Sequence, residues 1–496
     1  MKDTFIIVLD QGSSSSRALA FDLEGRVRFR ARRKADLRYP GNGLAEYDAL
    51  ELLKGQSESL REVLEKLPPG SEVAAMGIAA QRSTVVLWDR ETGVPLCPAL
   101  SWQDGRAQSG LAAVPLSNTA VHDLTGLYKT PYYSASKIRW CLENVPGARE
   151  AAAAGRLLVS PVSGFILWHL SKGGTFALDP TQAQRTLLFN IRRLGWDPRL
   201  LSAFGVDRGC LPEIRPSAGD YGRVRVGGLD IPVRAMLGDQ QAALLGMGAG
   251  AEGSAALNYG TGAFLMVNTG SRLVKVRGLL NSVGWREPGE KVPCRFLEST
   301  VNSAATALEW LKQRLGLFSD ISEVDEMCRL SRGRVLCLPA IGGIGSPYWD
   351  FSAFTTFTGL QPNTDRNDVV RGTVEGIAYM VGDAFDLIRR RGYDIKEIRA
   401  SGGLSRIDWL LQFQADITGA RVLRTEDSEA TAFGVAAAAA GAVGISLPRR
   451  AEASREFAPS ISAGERADLL KGWRAFVRGV RRNSATLRGL GVLPHA

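Results

Sequence analysis

Two turns rich in glycine and hydroxyl residues have the composition to bind phosphate. The first, Gly12–Ser16, contains four consecutive serines and closely follows Asp10, and the second runs from Tyr259 to Gly262. Backbone N–H groups and hydroxyls that converge in such a turn can bind phosphate oxygens, and a nearby carboxylate can hold Mg²⁺ directly or through a water molecule. A plain hairpin turn is the alternative for both segments.

A third candidate for chemistry is the carboxylate of Asp239. It follows the mostly apolar run Val233–Leu237 and Gly238, and it precedes an apolar segment with helical spacing. In α/β proteins, active-site residues are often found where a strand ends and a helix begins, and a carboxylate there can accept a proton from a substrate hydroxyl. A helix N-cap is the alternative, because Asp also favours that position.

Several other kinds of site are disfavoured by the composition. The six cysteines form no CxxC pair and the three histidines are widely spaced, which disfavours zinc and a Ser-His-Asp triad. The sequence contains no GxxxxGK[ST] string, and Gly342–Gly345 is only a fragment of a dinucleotide fingerprint. Any catalysis must therefore rest on carboxylates, hydroxyls, arginines and glycines.

The elements around the two turns have the same order. Phe5–Leu9 and Ala18–Phe21 are predicted strands on either side of the first turn, as Ala255–Asn258 and Ala263–Asn268 are around the second. We therefore expect two related α/β domains, each about half the chain, joined near the glycine-rich segment 246–253 and separated by a cleft. Further helices are predicted around residues 47–66, 135–144, 160–171 and 198–204, and further strands near 73–79 and 84–89.

Charge and hydropathy predict no nucleic-acid or membrane partner. The chain has 496 residues and a net charge of +10, but its arginines are dispersed and not interleaved with aromatic residues, which indicates a diffuse basic surface. The longest uncharged stretch, 430–448, is mostly alanine and glycine. It predicts a buried helix packed closely against another element, since alanine and glycine insert weakly into bilayers. With scattered cysteines and a short N-terminal apolar run, we expect a cytoplasmic protein.

Taken in order, several segments resemble the FGGY carbohydrate kinase family, most closely its glycerol kinases, over essentially the whole chain. Each segment is short, but together they follow the family's order. The segments are Asp10–Arg17, Gln81–Arg82, Ser101–Asp104, Pro131–Trp140, Gly238–Gln241, Tyr259–Gly262, Ser346–Asp350, Ser401–Gly403 and Glu429–Gly434.

The resemblance implies two actin-like, ribonuclease-H-like domains with a cleft between them. Residues 1–247 would bind a polyol or sugar and residues 248–496 the nucleotide. The implied reaction is ATP-dependent phosphorylation of a hydroxyl of glycerol or of a related small polyol or sugar. Asp239 would be the general base, and Asp10 the contact of Mg²⁺, directly or through water. The family also implies a homodimer or homotetramer.

The resemblance further implies two sets of binding residues. The substrate-binding residues would be Arg82, Ser83, Trp102, Tyr132, Asp239, Gln240 and Phe264. The nucleotide-binding residues would be Ser13, Ser14, Ser15, Arg17, Thr261, Gly262, Ala305, Glu309, Gly403 and Ile407. Core packing is the alternative for Trp102 and Phe264, and the neighbouring Tyr133 is the alternative to Tyr132.

The sequence departs from glycerol kinases in three places. Ser83 stands where they carry Glu, which predicts weaker use of glycerol, or preference for a longer or branched polyol or a ketose. Ala305, Glu309 and Ile407 replace the usual Gly, Gln and Asn, which predicts looser recognition of the base. The segment 226–230 is shorter than the loop that binds fructose 1,6-bisphosphate and lacks its Arg, so that control is not expected.

Two other classes of function share the predicted fold. An actin-like nucleotide switch or filament protein would have phosphate-binding turns but no reason to combine Arg82, Trp102, Tyr132 and Asp239. A degenerate kinase that serves as a sensor would fit the changes on the adenine side, but not the presence of both Asp10 and Asp239.

Overall fold

The computed structural model describes residues 3–286, 289–425, 429–448 and 453–492, which form two compact units. The first unit comprises the described residues within Met1–Gly248, Ser282–Arg295 and Ser428–Arg450, and the second comprises the others. The main division thus falls next to the predicted boundary between residues 247 and 248. Two later segments nevertheless pack with the first unit, which the division into 1–247 and 248–496 did not include.

The described residues form 23 strands and 14 α-helices. The strands are β1 Thr4–Gln11, β2 Ser15–Phe21, β3 Val27–Lys34, β4 Glu46–Tyr47, β5 Glu72–Ala80, β6 Val85–Asp89, β7 Ala99–Leu100, β8 Leu157–Pro161, β9 Ala177–Leu178, β10 Phe189–Asn190, β11 Gly195–Trp196, β12 Glu213–Ile214, β13 Arg223–Val226, β14 Leu229–Gly238, β15 Ala255–Tyr259, β16 Ala263–Asn268, β17 Leu280–Val283, β18 Arg295–Val301, β19 Leu336–Leu338, β20 Thr356–Thr358, β21 Glu397–Ser401, β22 Arg421–Thr425 and β23 Ala453–Phe457.

The helices alternate with the strands, as expected for an α/β protein. They are α1 Ala49–Glu65, α2 Asn118–Thr125, α3 Ser134–Asn144, α4 Ala148–Ala153, α5 Val162–Leu170, α6 Pro180–Gln184, α7 Pro198–Phe204, α8 Asp239–Gly246, α9 Ala305–Leu315, α10 Val324–Leu330, α11 Arg366–Arg389, α12 Asp408–Thr418, α13 Ala430–Gly441 and α14 Ala463–Gly489. Short 3₁₀ helices span Ser109–Ala113, Arg208–Cys210, Ile321–Glu323 and Gly403–Arg406.

The first unit is built on a six-stranded sheet with the order β13-β14-β5-β1-β2-β3. Strands β1, β2 and β3 form an antiparallel meander, and β5 and β14 lie parallel to β1 on its other side. The apolar run of β1 is buried throughout, as expected for a central strand covered on both faces. Helix α13 packs on β1, β5 and β14, and α1 packs on β2 and β3.

The second unit repeats this plan in a seven-stranded sheet with the order β17-β18-β16-β15-β21-β22-β23. Strands β15, β16 and β18 form the antiparallel meander, and β21 and β22 continue the sheet parallel to β15. The prediction of two related α/β halves, each opening with strand, turn and strand, is therefore confirmed.

Helix α13 accounts for the uncharged alanine- and glycine-rich stretch. A Cβ on Gly434 would lie 1.9 Å from the carbonyl oxygen of Ala242, and one on Gly246 would lie 1.9 Å from that of Ala430. Helices α8 and α13 therefore touch backbone to backbone, which only glycine allows. The predicted buried, closely packed helix is confirmed, and in the described part of the chain no helix is long and apolar enough to cross a membrane.

Candidate functional site

In the first unit, three neighbouring strands end at the same edge of the sheet. Ala80 of β5 lies opposite both Gln11 of β1 and Gly238 of β14. The residues at or just beyond these ends include Asp10, Arg82 and Asp239. Because adjacent strands are about 4.8 Å apart, groups from all three strands share one site at the carboxyl edge.

A charged cluster is centred on Arg17, which lies opposite Asp10 in the β1–β2 hairpin. The Arg17 guanidinium donates to Oδ2 of Asp10 through Nε, at 3.2 Å, and through Nη2. Its Nη1 donates to Oε2 of Glu429 at 2.9 Å. Glu429 immediately precedes α13, so the second carboxylate comes from a segment 412 residues away in the chain.

The cluster holds both carboxylates in a desolvated setting. The Asp10 side chain is about 6% exposed, and burial raises its pKa while the Arg17 charge lowers it. Burial also raises the pKa of Glu429, again against Arg17, and the negative charge of Asp10 raises it further. Arg17 thus offsets the charge of both acids, and Arg30, 3.8 Å from Oε1 of Glu429, adds a second positive charge that lowers the pKa of Glu429.

The serine turn forms a small hydrogen-bonded loop between β1 and β2. The N–H of Gly12 donates to the carbonyl of Ser15 at 2.9 Å, and the Ser13 hydroxyl donates to Oε1 of Gln81 at 3.2 Å. The Tyr47 hydroxyl donates to the carbonyl of Ser13 at 2.8 Å. Ser14 is exposed, Ser13 is half-buried and Ser15 is buried, so the three predicted phosphate contacts differ in access to solvent.

Asp239 is the first residue of α8, and its neighbours are polar. Its Oδ1 accepts the N–H of Gln240 at 2.8 Å and lies 3.6 Å from Nε of Arg82. The buried Arg82 also donates to Oε1 of Gln241 at 3.2 Å and to Oε1 of Gln240. Arg82 therefore spans the ends of β5 and β14 and holds three side chains of one segment together.

The surroundings of Asp239 raise its pKa above the usual value for a carboxyl. Desolvation raises the pKa of Asp239, and Arg82 opposes that effect. The more distant charges of Asp10 and Arg185 respectively raise and lower this pKa. A carboxyl with a raised pKa is a stronger base when it is ionised.

Two aromatic side chains border the same region. The Trp102 indole N–H donates to Oγ of Ser13 at 3.1 Å, and its ring lies 5.2 Å from that of Tyr132. Tyr132 is half-buried and Tyr133 is buried, so Tyr132 is the one of the pair with access to solvent. The ammonium of the buried Lys137 donates to the carbonyl of Tyr132 at 2.8 Å, and burial lowers the pKa of Lys137 to about 7.

Ser83 does not present its hydroxyl to solvent. The residue is fully buried with a φ of 67°, and its Oγ donates to the carbonyl of Arg185 at 3.1 Å. Its hydrogen bond is thus made to the protein backbone.

In the second unit, the predicted nucleotide residues gather around the β15–β16 turn. Asn258 lies opposite Ser401 in parallel strands, so this turn and Gly403 are at one sheet edge. The N–H of Ala305, at the start of α9, donates to the carbonyl of Gly260 at 3.1 Å. Thr261 and Gly403 are exposed, while Gly262 is buried.

The remaining predicted residues of the second unit differ in their exposure to solvent. Glu309 is exposed on α9, one turn after Ala305, whereas Ile407 is buried in the hydrophobic core. Phe264 is half-buried on β16, and it is the only predicted substrate residue outside the first unit.

Four residues without a predicted role support the site in the first unit: Tyr47, Gln81, Lys137 and Glu429. Three of them lie inside segments that resemble the family, so the sequence did contain a signal for them. Tyr47 lies outside every such segment, and its bond to Ser13 is visible only in the folded chain.

The oxygen atoms near Asp10 could bind an Mg²⁺ ion that enters the site together with a phosphate ligand. Carboxylate and hydroxyl oxygens from Asp10 and the serine turn are of the type that Mg²⁺ prefers. Within the described residues, no group of three or more His, Cys, Asp or Glu is arranged to hold a metal. Mg²⁺ is commonly bound by one or two carboxylates together with substrate phosphates.

Family models match both halves of the chain. The model for the N-terminal domain of the FGGY family of carbohydrate kinases matches residues 5–246, and that for the C-terminal domain matches residues 255–443.

Individual proteins named glycerol kinase are similar over nearly the whole chain. That of Shewanella piezotolerans is 40% identical over 97% of this chain and 100% of its own length. That of Thermus brockianus is 41% identical over 95% of this chain and 98% of its own. The crystal structure of Plasmodium falciparum glycerol kinase with ADP has a TM-score of 0.91 at 27% identity, covering 97% of this chain and 98% of that one.

Proposed function

The chain belongs to the FGGY family of carbohydrate kinases, and we propose that it transfers a phosphoryl group from ATP to a hydroxyl of glycerol or of a related small polyol. The observation that carries the proposal is the arrangement of Arg82, Asp239 and Gln240 at the ends of β5 and β14. The names of relatives about 40% identical to this chain support the same substrate class.

Asp239 accepts the proton of the attacking hydroxyl. Its position at the start of α8 is fixed by the N–H of Gln240 and by Arg82. The raised pKa of this carboxyl strengthens it as a base. Arg82 and Gln240 bind the substrate hydroxyls, and Trp102 and Tyr132 cover the C–H side of the polyol.

The nucleotide binds through the glycine turns of the second unit, with the residues Thr261, Gly262, Ala305, Glu309 and Gly403, whereas Ile407 lies in the core of that unit. Ser13, Ser14, Ser15 and Arg17 meet the phosphates, and Asp10 contacts Mg²⁺ directly or through water. An Mg²⁺ ion held by Asp10 would supply positive charge that offsets the charge of the phosphates during phosphoryl transfer.

We place the reaction in the cytoplasm. All six cysteines are free thiols, which fits a reducing compartment in which ATP is available. A homodimer or homotetramer, without nucleic acid or membrane, is the assembly we expect.

The test is ADP release by the whole chain with ATP and Mg²⁺ on a panel of glycerol, tetritols, pentitols and ketoses. We expect turnover that depends on the polyol and that glycerol supports. ATP hydrolysis that no panel member stimulates would reject the proposal and favour a nucleotide switch or sensor.

A kinase for a larger polyol or a ketose is the second candidate, and Ser83 favours it. A buried serine whose hydroxyl is bonded to Arg185 offers no charge to a glycerol hydroxyl. Loss of one charged hydrogen-bond partner lowers affinity by roughly 10- to 100-fold. The panel separates the candidates, because glycerol would then have a much lower kcat/KM than a tetritol, pentitol or ketose.

A further inference from the structure

Two thiols in the first unit lie close together beside the site. The Sγ atoms of Cys97 and Cys141 are 3.8 Å apart. Cys97 is in the segment between β6 and β7 and is partly exposed, whereas Cys141 is fully buried on α3. A partly exposed thiol backed by a buried one is the arrangement of a pair that oxidises in two steps.

The surroundings make the two thiols unequal. The hydrogen bond from Cys141 and the charge of Arg106 hold the pKa of Cys97 below its usual value, against desolvation. The same hydrogen bond and burial raise the pKa of Cys141. Arg106 is held in place by Asp104, at 2.8 Å, and by Glu46, at 2.7 Å. Cys97 is also the thiol of the pair that solvent can reach, since Cys141 is fully buried.

We propose that Cys97 and Cys141 are a peroxide-sensitive pair that closes to a disulfide and thereby weakens polyol binding. The Cys97 thiolate attacks one oxygen of hydrogen peroxide, the O–O bond breaks, and Cys97 becomes a sulfenic acid while hydroxide leaves. Cys141 then attacks the Cys97 sulfur, the S–S bond forms as the S–O bond breaks, and the hydroxide that leaves takes the Cys141 thiol proton to form water. Two thiols and one peroxide thus yield one disulfide and two waters, the peroxide being reduced.

The effect on the site follows from where the cysteines lie. An S–S bond is about 2.05 Å long, so the sulfurs must approach by about 1.8 Å. Cys97 lies five positions before Trp102, and Cys141 lies one helical turn after Lys137. Lys137 holds the carbonyl of Tyr132, whose ring contacts Trp102. The disulfide therefore displaces both segments that carry Trp102 and Tyr132, the two aromatic residues that border the site. The expected effect on polyol binding rests on the proposed function.

The first experiment is mass spectrometry of the full chain after hydrogen peroxide treatment. We expect peptides containing Cys97 and Cys141 to be linked, with the loss of two hydrogens. In Cys141→Ser, Cys97 should stop at a sulfenic acid that dimedone traps, and in Cys97→Ser, Cys141 should stay reduced. Cys210→Ser, which removes a different buried thiol, should behave as the parent chain. Oxidation of Cys97 without a link to Cys141, or no oxidation, would overturn the proposal.

The second experiment compares kinetics before and after oxidation. KM for the best polyol should rise about tenfold in the oxidised chain, KM for ATP should not change, and dithiothreitol should restore the starting value. Cys97→Ser should show no response to peroxide. A disulfide that leaves KM for the polyol unchanged would overturn the coupling. If the reduced chain phosphorylates no polyol, the proposed function fails, while the mass measurement still decides whether the pair is redox-active.

Discussion

The two central hairpins share a backbone plan but are fixed by different interactions. In the β1–β2 hairpin, the turn is surrounded by Asp10, Arg17 and Glu429, which form a chain of ion pairs. In the β15–β16 hairpin, Gly262 packs against the backbone, since a Cβ there would lie 2.5 Å from the carbonyl oxygen of Val301. Gly402, with a φ of 94°, packs as closely against Tyr259.

The difference shows that one strand topology can carry two turns, each rich in glycine and hydroxyl residues, that are stabilised in different ways. Ion pairs flank the first turn, and a Cβ on Gly12 would make only an ordinary contact, 3.5 Å from its nearest neighbour. Close backbone packing sets the second turn, where any side chain at Gly262 would collide. We therefore expect the first turn to be sensitive to charge and the second to be sensitive to volume.

The largest expected effect on stability comes from removing the positive charge beside the first turn. Arg17→Met leaves the carboxyl of the buried Asp10 without its cation and leaves Glu429 beside the more exposed Arg30, 3.8 Å away, so it should lower the free energy of unfolding by about 3 kcal/mol at pH 8. The loss should shrink toward pH 5, because carboxyls with raised pKa values then take up protons. Chemical denaturation at both pH values measures this.

The matched control is an arginine of the second unit. Arg424 is bonded to Asp408, but Asp408 also has Arg455 and, at 3.6 Å, Arg329. Arg424→Met also loses the bond from Nε to the carbonyl of Ser405, at 2.7 Å, and should cost about 1 kcal/mol. Equal losses for the two variants would show that the first turn has no special dependence on charge.

The next prediction concerns the volume of an added side chain in each turn. Gly262→Ala should lower the free energy of unfolding by about 2 kcal/mol and weaken ADP binding, because the new methyl group displaces the Val301 backbone. Gly12→Ala should stay within about 0.5 kcal/mol of the parent chain. Denaturation curves measure the free energy of unfolding, and calorimetry measures ADP affinity. Equal losses in Gly262→Ala and Gly12→Ala would contradict the claim that only the second turn is sensitive to volume.

A smaller effect concerns pH. Because the pKa of Asp239 is raised and its ionised form is the base, kcat/KM for the polyol should fall as pH drops through that raised value. Arg82 lowers this pKa, so Arg82→Gln should move the acid limb to higher pH. Thr261→Ala, in the second unit, should leave the limb in place. A limb that does not move in Arg82→Gln contradicts the assignment of that limb to Asp239.

The smallest expected effect is at Ser83. Ser83→Ala removes one hydrogen bond to the Arg185 backbone and should cost about 1 kcal/mol of stability. Because the hydroxyl is turned into the protein, KM for the polyol should change by less than about threefold. Steady-state kinetics on the preferred polyol measure this, and a rise well beyond that range would show that Ser83 contacts the substrate.

Local sequence patterns predicted much of the fold. The run Phe5–Leu9 lies within β1, and the predicted segments 135–144 and 198–204 correspond to α3 and α7. These patterns succeed because periodicity and turn residues act over a few positions. The pairing of Arg17 with Glu429 could not be predicted in this way, since it depends on the return of the chain to the first unit.

For the site, the sequence named residues but not their orientations. Ser83 was expected at the substrate, and only its positive φ and its bond to Arg185 show that its hydroxyl is turned inward. Ile407 was expected at the base, but it is buried in the core of its unit. Spacing along the chain contains no information on which way a single side chain points, so these assignments stay predictions.

The most direct test of the account is the turnover of Asp239→Asn with ATP, Mg²⁺ and the preferred polyol, with ADP affinity measured in parallel. Asn matches the shape of Asp but cannot accept the proton. We predict that kcat falls by about 10²- to 10⁴-fold while ADP affinity stays within about twofold. Turnover close to that of the parent chain would contradict the role of Asp239 as the general base.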